Sequence, residues 1–457
     1  MAKTSVAFCT LGCKVNQYET DAMRERFEAA GYQIREFHDI ADVYVVNTCS
    51  VTNIADRKSR QMLHRAKKTN PEGLVVAAGC YVQTAGEAPE KDPLIDVVVG
   101  NNLKIKIVDI VGQALAERAE ESAKARRHVE DIAHDPVYEA LSISRLSGHS
   151  RVHIKIQDGC NQFCSYCIIP YARGRVRSRR PEEIIDEVRR LADSACREVV
   201  LTGIHISSYG TDFSGHGEEG ASDYEKLSGT ALIELIEAIA AAAPDLRIRL
   251  SSLEPRIITE DFIQRLSRVK GFCPHFHLSL QSGCDATLRR MNRHYSTALY
   301  LEKCRLIRSV FPYAAITTDV IVGFPGETQE EFEETCAFLK EVAFADMHIF
   351  KYSRRQGTRA AVMPDQVPPQ VQKVRSDILL ALAEKMHGDF IRACMKTPVD
   401  VLLEEPVRLG EKTLMAGHSR NYILCAFEGD SLQPDQIVSG RLTDVTEGGY
   451  VICEKMD

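Results

Sequence analysis

No stretch of this 457-residue chain approaches the ~20 consecutive apolar residues that a bilayer-spanning helix needs. The opening segment, MAKTSVAFCTLGC, also lacks the long apolar core of a secretory signal and soon turns polar. No membrane association and a cytoplasmic location are therefore expected. Positive charge is not in excess either: 57 Lys and Arg stand against 64 Asp and Glu, a net charge of −7. Any nucleic-acid surface must then be a local patch, because the chain as a whole repels phosphate. In a reducing compartment the 15 cysteines are not a disulfide framework, which leaves metal ligation, catalysis or core packing. Cys196, Cys273, Cys304, Cys336, Cys394, Cys425 and Cys453 show no ligand spacing and are expected in the core, as is Cys9.

One more absence is chemical. Cys160, Cys164 and Cys167, in DGCNQFCSYC, are spaced C-x3-C-x2-C, and no fourth ligand accompanies them. A closed structural zinc site uses four protein ligands, whereas an open metal position is where a substrate binds. The triplet follows a strand candidate, VHIKIQ (152–157), which places it on the loop at the strand's carboxyl end, the catalytic face of a parallel α/β barrel. Five further strand candidates follow, at 197–203, 246–253, 275–280, 316–323 and 346–353, most of them separated by helical periodicity. Six units are fewer than the eight that close a barrel, so an open (β/α)6 barrel with a wide lateral mouth is expected. The Gly/Ser/Asp-rich insert at 207–229 reads as a surface loop.

Upstream, continuous apolar runs at 5–8, 42–46, 73–78 and 95–100 suit buried parallel strands. Cys13, Cys49 and Cys80 each lie just beyond one of these runs. Ligands of open parallel sheets gather outside the carboxyl ends of the strands, so three loops there could set three thiolates around one metal centre. After a helix near 367–395, short strands with turn residues between them suit a small OB-like barrel. The class is α/β. The expected division is an open parallel-sheet domain (1–113), a helical linker (114–145), the partial barrel (146–395) and the small β-barrel (396–457).

The triplet in this context resembles the radical S-adenosylmethionine (SAM) superfamily. The resemblance implies a 4Fe-4S cluster on Cys160, Cys164 and Cys167 whose open iron holds SAM and whose electron cleaves it to a 5′-deoxyadenosyl radical. It also implies Tyr166 beside the adenine. Gly203 stands where the family has a Gly-Gly-Glu-like motif, with Ile204 and His205 in place of the usual pair. Glu254, Ser279 and Gln281 are polar where strands emerge, and Gly323 allows close backbone approach. TLGCKVNQYET, NTCSVT, AGCYVQ, LSLQSGCDATLRRMNRHY, GFPGET and YSRRQGT, with a tail AGHSRNYILCAF similar to a TRAM domain, resemble the methylthiotransferases. That likeness implies a second 4Fe-4S cluster on Cys13, Cys49 and Cys80 as the sulfur donor, with SAM supplying the methyl group and the radical.

Lys14-Val15-Asn16 most resembles the branch that methylthiolates C2 of N6-threonylcarbamoyladenosine beside the tRNA anticodon. The isopentenyladenosine branch usually carries Gly-Cys-Gln-Met-Asn there, and the ribosomal-protein branch Gly-Cys-x-Lys-Asn. The implied partners are a tRNA anticodon stem-loop and an electron donor such as a flavodoxin, with the sulfur source open. The run YARGRVRSRR has no acid until Glu182, so Arg173, Arg175 and Arg177 are candidates for RNA phosphate or the SAM carboxylate. A solvated basic turn or an interdomain salt bridge is the competing reading. The tail argues against simple RNA binding: from Lys396 to Asp457 it holds six Lys/Arg and eleven Asp/Glu. Alternatives are modification of isopentenyladenosine or of a ribosomal-protein aspartate and, in another class, a non-catalytic iron–sulfur RNA-binding or redox-sensing protein.

Overall fold

The β-branched runs near the start are buried on both faces. A computed structural model of the chain describes residues 3–118, 126–133, 135, 137–144, 151–194, 196–213, 227–429, 431–446 and 448–456. Strands β1 (Ser5–Thr10), β2 (Gln33–Arg35), β3 (Val43–Thr48), β4 (Leu74–Gly79), β5 (Val97–Val99) and β6 (Arg126–His128) form one parallel sheet in the order β2-β1-β3-β4-β5-β6. Val43, Val45 and Val76 face one apolar layer, and Tyr44, Val46 and Val75 face the other. This double burial is what a continuous apolar run requires of a parallel strand.

Two of these strands were not expected. Among the described residues, the charged linker is helical as far as Arg118. Arg126–His128 then adds the sheet's outermost strand, pairing with β5, and residues 119–125 lie outside the described set. Charge on an edge strand is a normal defence against further pairing, so an Arg-Arg-His strand reads from sequence as linker. Further on, Leu141 and Ile143 are buried in the barrel's core.

The barrel strands are β7 (Arg151–Asp158), β9 (Glu198–Gly203), β10 (Arg247–Leu250), β11 (His275–His277), β12 (Ala315–Val322) and β13 (Asp346–Lys351), with the short β8 (Arg177–Ser178) antiparallel on the outer edge of β7. Pairing runs β7-β9-β10 and β11-β12-β13, and single bridges such as Ile248 to Phe272 join the two sets. Unlike the first sheet, these strands alternate. Val152, Ile154 and Ile156 of β7 pack outward into the core under the helices. By the pleat, His153, Lys155 and Gln157 point into the barrel, as do Arg249 on β10, His277 on β11 and Asp319 on β12. The barrel lumen is therefore polar and titratable.

The sheet unit covers the open side of the barrel. Its first helix, α1 (Lys14–Ala29), sends Tyr18 and Ala22 into the barrel core, while Met23 and Phe27 belong to the sheet's own core. At the other edge Arg355, just past β13, bonds Asp56 (2.6 Å), Asn53 (2.7 Å) and Ser50 (2.8 Å). The mouth expected to be wide is thus spanned between its two edge strands.

A helix from Pro369 to Cys394 leads to a closed five-stranded barrel: β14 (Pro398–Leu409), β15 (Lys412–Ser419), β16 (Leu424–Phe427), β17 (Ile437–Val445) and β18 (Val451–Lys455), in the order β14-β15-β16-β18-β17. Most of the insert expected as a surface loop, 214–226, lies outside the described residues.

Candidate functional site

β1, β3 and β4 are neighbours in the sheet, so the loops carrying Cys13, Cys49 and Cys80 emerge side by side. The approach is close. Gly12 has φ +100°, and a Cβ there would lie 2.7 Å from Cys49 Sγ. Asn16 binds two of the loops together through Leu11 O (2.7 Å) and Thr48 O (3.0 Å). Cys13 precedes α1 without capping it. Cys49 and Cys80 are buried, and burial pushes the Cys49 thiol up to about 11.

The second triplet is wrapped by backbone. Gly159 (φ +71°) admits no side chain, since a Cβ would sit 1.7 Å from Arg175 O. Cys160 N–H donates to Gly174 O, and Cys167 N–H to Cys164 O. Asn292 donates to the carbonyls of Gln162 and Phe163. Burial raises the Cys160 thiol strongly and Cys167 to about 12. Thiols so placed ionise only with a compensating cation, and metal binding supplies one while releasing the protons.

A single tetrahedral zinc would bring its thiolates within about 3.8 Å of one another. Neither triplet has its three sulfurs within 4.8 Å; among the described residues only His277, Asp319 and His348 form so tight a ligand set, inside the barrel. Neither triplet is therefore drawn in to the spacing of a single tetrahedral ion, and each offers the three thiolates that an open 4Fe-4S cluster takes from a protein. Each triplet also has a guanidinium on one sulfur. Arg173 Nε donates to Cys80 Sγ at 3.2 Å, and Arg293 Nη1 to Cys164 Sγ at 3.3 Å. Hydrogen bonds to sulfur and nearby cations stabilise an anionic thiolate cluster.

Arg173 also corrects an expectation. It is fully buried, and its guanidinium meets Glu19, Asn16 and Asp158. Arg177 is 1% exposed, bonded to Arg173 O and 3.8 Å from Asp158. Neither can reach RNA phosphate, and the competing reading as an interdomain salt bridge describes Arg173. Only Arg175 of the three is exposed, stacked 4.4 Å over the Phe163 ring. Glu19 is the centre of this network: it binds Arg173, Lys155 (2.8 Å) and Lys104. Burial works to raise its pKa, yet the three cations hold it well below the usual carboxylate range.

The candidate SAM contacts divide. Gly203 lines a cavity inside the barrel. Beside it His205 gives Nδ1 to Ser208 Oγ (2.6 Å), while its buried Nε2 has no hydrogen-bond partner and lies 4.0 Å from Glu254. Burial lowers His205 to about 4 against the pull of Glu254, so the ring is neutral at pH 7; in the tautomer whose Nδ1–H donates to Ser208, Nε2 is an open acceptor. Glu254 is buried and clamped by Arg256. That orphaned nitrogen beside a carboxylate fits the ammonium group of an amino acid. Ser279 offers its carbonyl to Tyr295 OH (2.6 Å) and Arg293. Gln281, at φ +73°, is buried and fixed to β12 through its backbone. Tyr166 packs edge-on to Phe324. Gly323 (φ +71°) faces away from a ligand role: a Cβ there would meet Gln372 at 2.3 Å, so its smallness admits the Pro369–Cys394 helix. Sequence reasoning missed Glu19 and Arg293, although both stand inside motifs it quoted.

The cavity holds about 520 Å³. Its wall begins at Gly12, Cys13 and Lys14, passes the polar inward residues of the barrel, and ends at Asn421, Tyr422 and Ile423 of the small barrel. Tyr422 stacks on His275 and His418, with ring centroids 4.6 and 4.5 Å apart.

Comparison with known proteins agrees with this layout. Residues 154–339 match the radical SAM superfamily model, and residues 5–100 match the uncharacterized protein family UPF0004. The chain is 39% identical to the threonylcarbamoyladenosine tRNA methylthiotransferase MtaB of Bacillus subtilis, over 98% of this chain and 94% of that one. It is 38% identical to MtaB of Aquifex aeolicus, over 88% and 94%. It is 34% identical to a tRNA-2-methylthio-N(6)-dimethylallyladenosine synthase of Methylacidiphilum infernorum, over 88% and 84%. Among solved structures, the radical SAM methyltransferase TsrM of Kitasatospora setae, with cobalamin and a 4Fe-4S cluster bound, shares the fold. Its TM-score is 0.58 at 16% identity, over 79% of this chain and 77% of that one.

Proposed function

The chain belongs to the tRNA methylthiotransferases of the radical SAM superfamily, and from that premise we propose that it methylthiolates C2 of N6-threonylcarbamoyladenosine at position 37 of tRNA. The observation that carries this reading is Arg173. It stands six residues after Cys167 and donates to Cys80 Sγ, so the two three-cysteine loops serve one region. When bound, a 4Fe-4S cluster with SAM would supply a carbon radical able to activate an inert C–H bond, and a second cluster would supply sulfur.

The chain's own residues hold these partners in place. Cys160, Cys164 and Cys167 are the proposed ligands of the first, and Cys13, Cys49 and Cys80 of the second. Arg293 and Arg173 offset negative charge at one sulfur of each set. Neutral His205 accepts from the SAM ammonium at Nε2, with Glu254 behind it. α1 on one edge and Arg355 on the other fix the separation of the two loops, which is the positional contribution to rate. Arg175 is the exposed cation beside the loop that can meet an RNA phosphate. No described helix is long and apolar enough to cross a membrane. The setting proposed is the cytoplasm, with a one-electron donor such as a flavodoxin.

Two tests follow. In tRNA from a deletion strain, 2-methylthio-N6-threonylcarbamoyladenosine is expected to vanish and its unmethylthiolated precursor to accumulate; an unchanged profile overturns the reading. In purified, reconstituted protein, Cys164→Ala is expected to abolish reductive SAM cleavage. Cys49→Ala is expected to retain cleavage while methylthio transfer falls to background, and a normal transfer rate in that variant would remove the second cluster from the proposal.

A further inference from the structure

Arginines pack against Tyr422 in the cavity wall. Arg249 grips Glu198 with contacts of 2.7 and 3.1 Å. Arg247 lies 3.8 Å from the same carboxylate, and Arg151 is engaged by Glu404 and His418. Three guanidiniums thus share two carboxylates. Lys14 adds a fourth cation. It lines the cavity, and no hydrogen bond or ion pair holds its ammonium among the described residues. Lys14 is exposed, and it reaches the cavity from the residue next to Cys13. Two acids line the cavity. Asp319 faces His277 Nε2 at 3.4 Å, and Asp346 accepts the Met347 N–H. Lys14 is the one Lys or Arg among the described residues lining the cavity, and no acid pairs with its ammonium, which leaves it free to meet an incoming anion.

We propose that Lys14 binds the carboxylate of the substrate's N6-threonylcarbamoyl group and so determines which N6-modified adenosine is accepted. This rests on the function proposed above. Purine connectivity explains the position of the residue. C2, the carbon to be modified, and C6, which bears the N6 substituent, are both bonded to N1. A loop that serves C2 and a cation that meets the N6 substituent must therefore be neighbours, and Cys13 and Lys14 are consecutive. Lys14 opens α1, whose burial in both cores fixes where its side chain starts. An uncharged N6 substituent offers the ammonium no counter-charge.

The test uses the reconstituted holoenzyme and two anticodon stem-loop RNAs, one with N6-threonylcarbamoyladenosine at position 37 and one with its carboxyl methyl ester. Affinity for each is measured anaerobically, and the acid-to-ester ratio is taken within each variant, so a general weakening cancels. Wild type is expected to prefer the acid by about tenfold or more, as befits a charge-assisted hydrogen bond. Lys14→Met is expected to bring the ratio to about one, and Lys14→Arg to keep most of the preference. If Lys14→Met does not retain iron, Lys14→Gln replaces it. A wild-type preference that survives the loss of the ammonium overturns the assignment, as does a wild type that does not discriminate. Wild type that methylthiolates the acid RNA while failing these criteria sinks the Lys14 assignment alone; wild type that does not methylthiolate it sinks the function as well.

Discussion

At the residue scale the most exacting position is Glu19. It is fully buried, as are the three cations it meets, Lys104, Lys155 and Arg173. One of them belongs to the sheet unit and two to the barrel, so Glu19 joins the charges of the two units, with Asp158 sharing Lys155 and Arg173. Neutralising it strands buried cations, and breaking such a set by removing one partner costs about 3–5 kcal/mol. Glu19→Gln keeps the shape and removes the charge. Its urea midpoint is expected to fall by an amount equivalent to about 3–5 kcal/mol; a loss below about 1 kcal/mol would mean that Asp158 alone balances Lys155 and Arg173. Because Arg173 also holds Cys80, the same variant is expected to lose iron selectively from the first triplet, read as a lower iron count with SAM cleavage retained.

At the element scale the turn from Ser419 to Ile423 gives the acidic small barrel a task that needs no RNA contact. Its tip residue, Tyr422, lies between His275 and His418, with Arg249 and Arg151 4.8 and 5.4 Å from its ring. It closes the barrel floor. Tyr422→Ala removes the stacking and the cation–π contacts, together worth about 1–3 kcal/mol for a half-buried ring. It is expected to speed proteolysis between the long helix and β14 and to weaken substrate RNA binding; unchanged proteolysis would show that the rest of the interface suffices.

This scale is also where the sequence was most legible. Strands read well because apolar runs followed by a cysteine mark both a buried strand and its functional end. β6 did not, because an edge strand needs no apolar residue. The arginine run misled for a related reason. Charge density looks the same whether solvated or paired, and the partner of Arg173 lies 154 residues away. Glu19 and Arg293 sat inside quoted motifs, but spacing along a chain does not report which sulfur or cation a side chain will meet across it.

At the scale of the whole molecule, α1 is shared property. Tyr18 and Ala22 belong to the barrel core and Met23 and Phe27 to the sheet core, while Tyr18 OH donates to Leu141 O (2.6 Å). The three cysteines of the sheet unit are contributed by residues 1–113, yet the guanidinium on Cys80 comes from residue 173. A segment cut at residue 113 would keep the ligands and lose the counter-charge, and it would expose one face of α1 with the Glu19–Lys104 pair stripped of Lys155 and Arg173. Ligand set and site are therefore not the same unit. Expressed alone, 1–113 is expected to show less helix by circular dichroism than its share of the full chain and to lose iron and sulfide on anaerobic gel filtration. The full chain is expected to keep both under the same conditions and to unfold in one transition. A stable 1–113 fragment with a full iron complement would mean that the sheet alone builds the site, and that Arg173 tunes a cluster it does not help to hold.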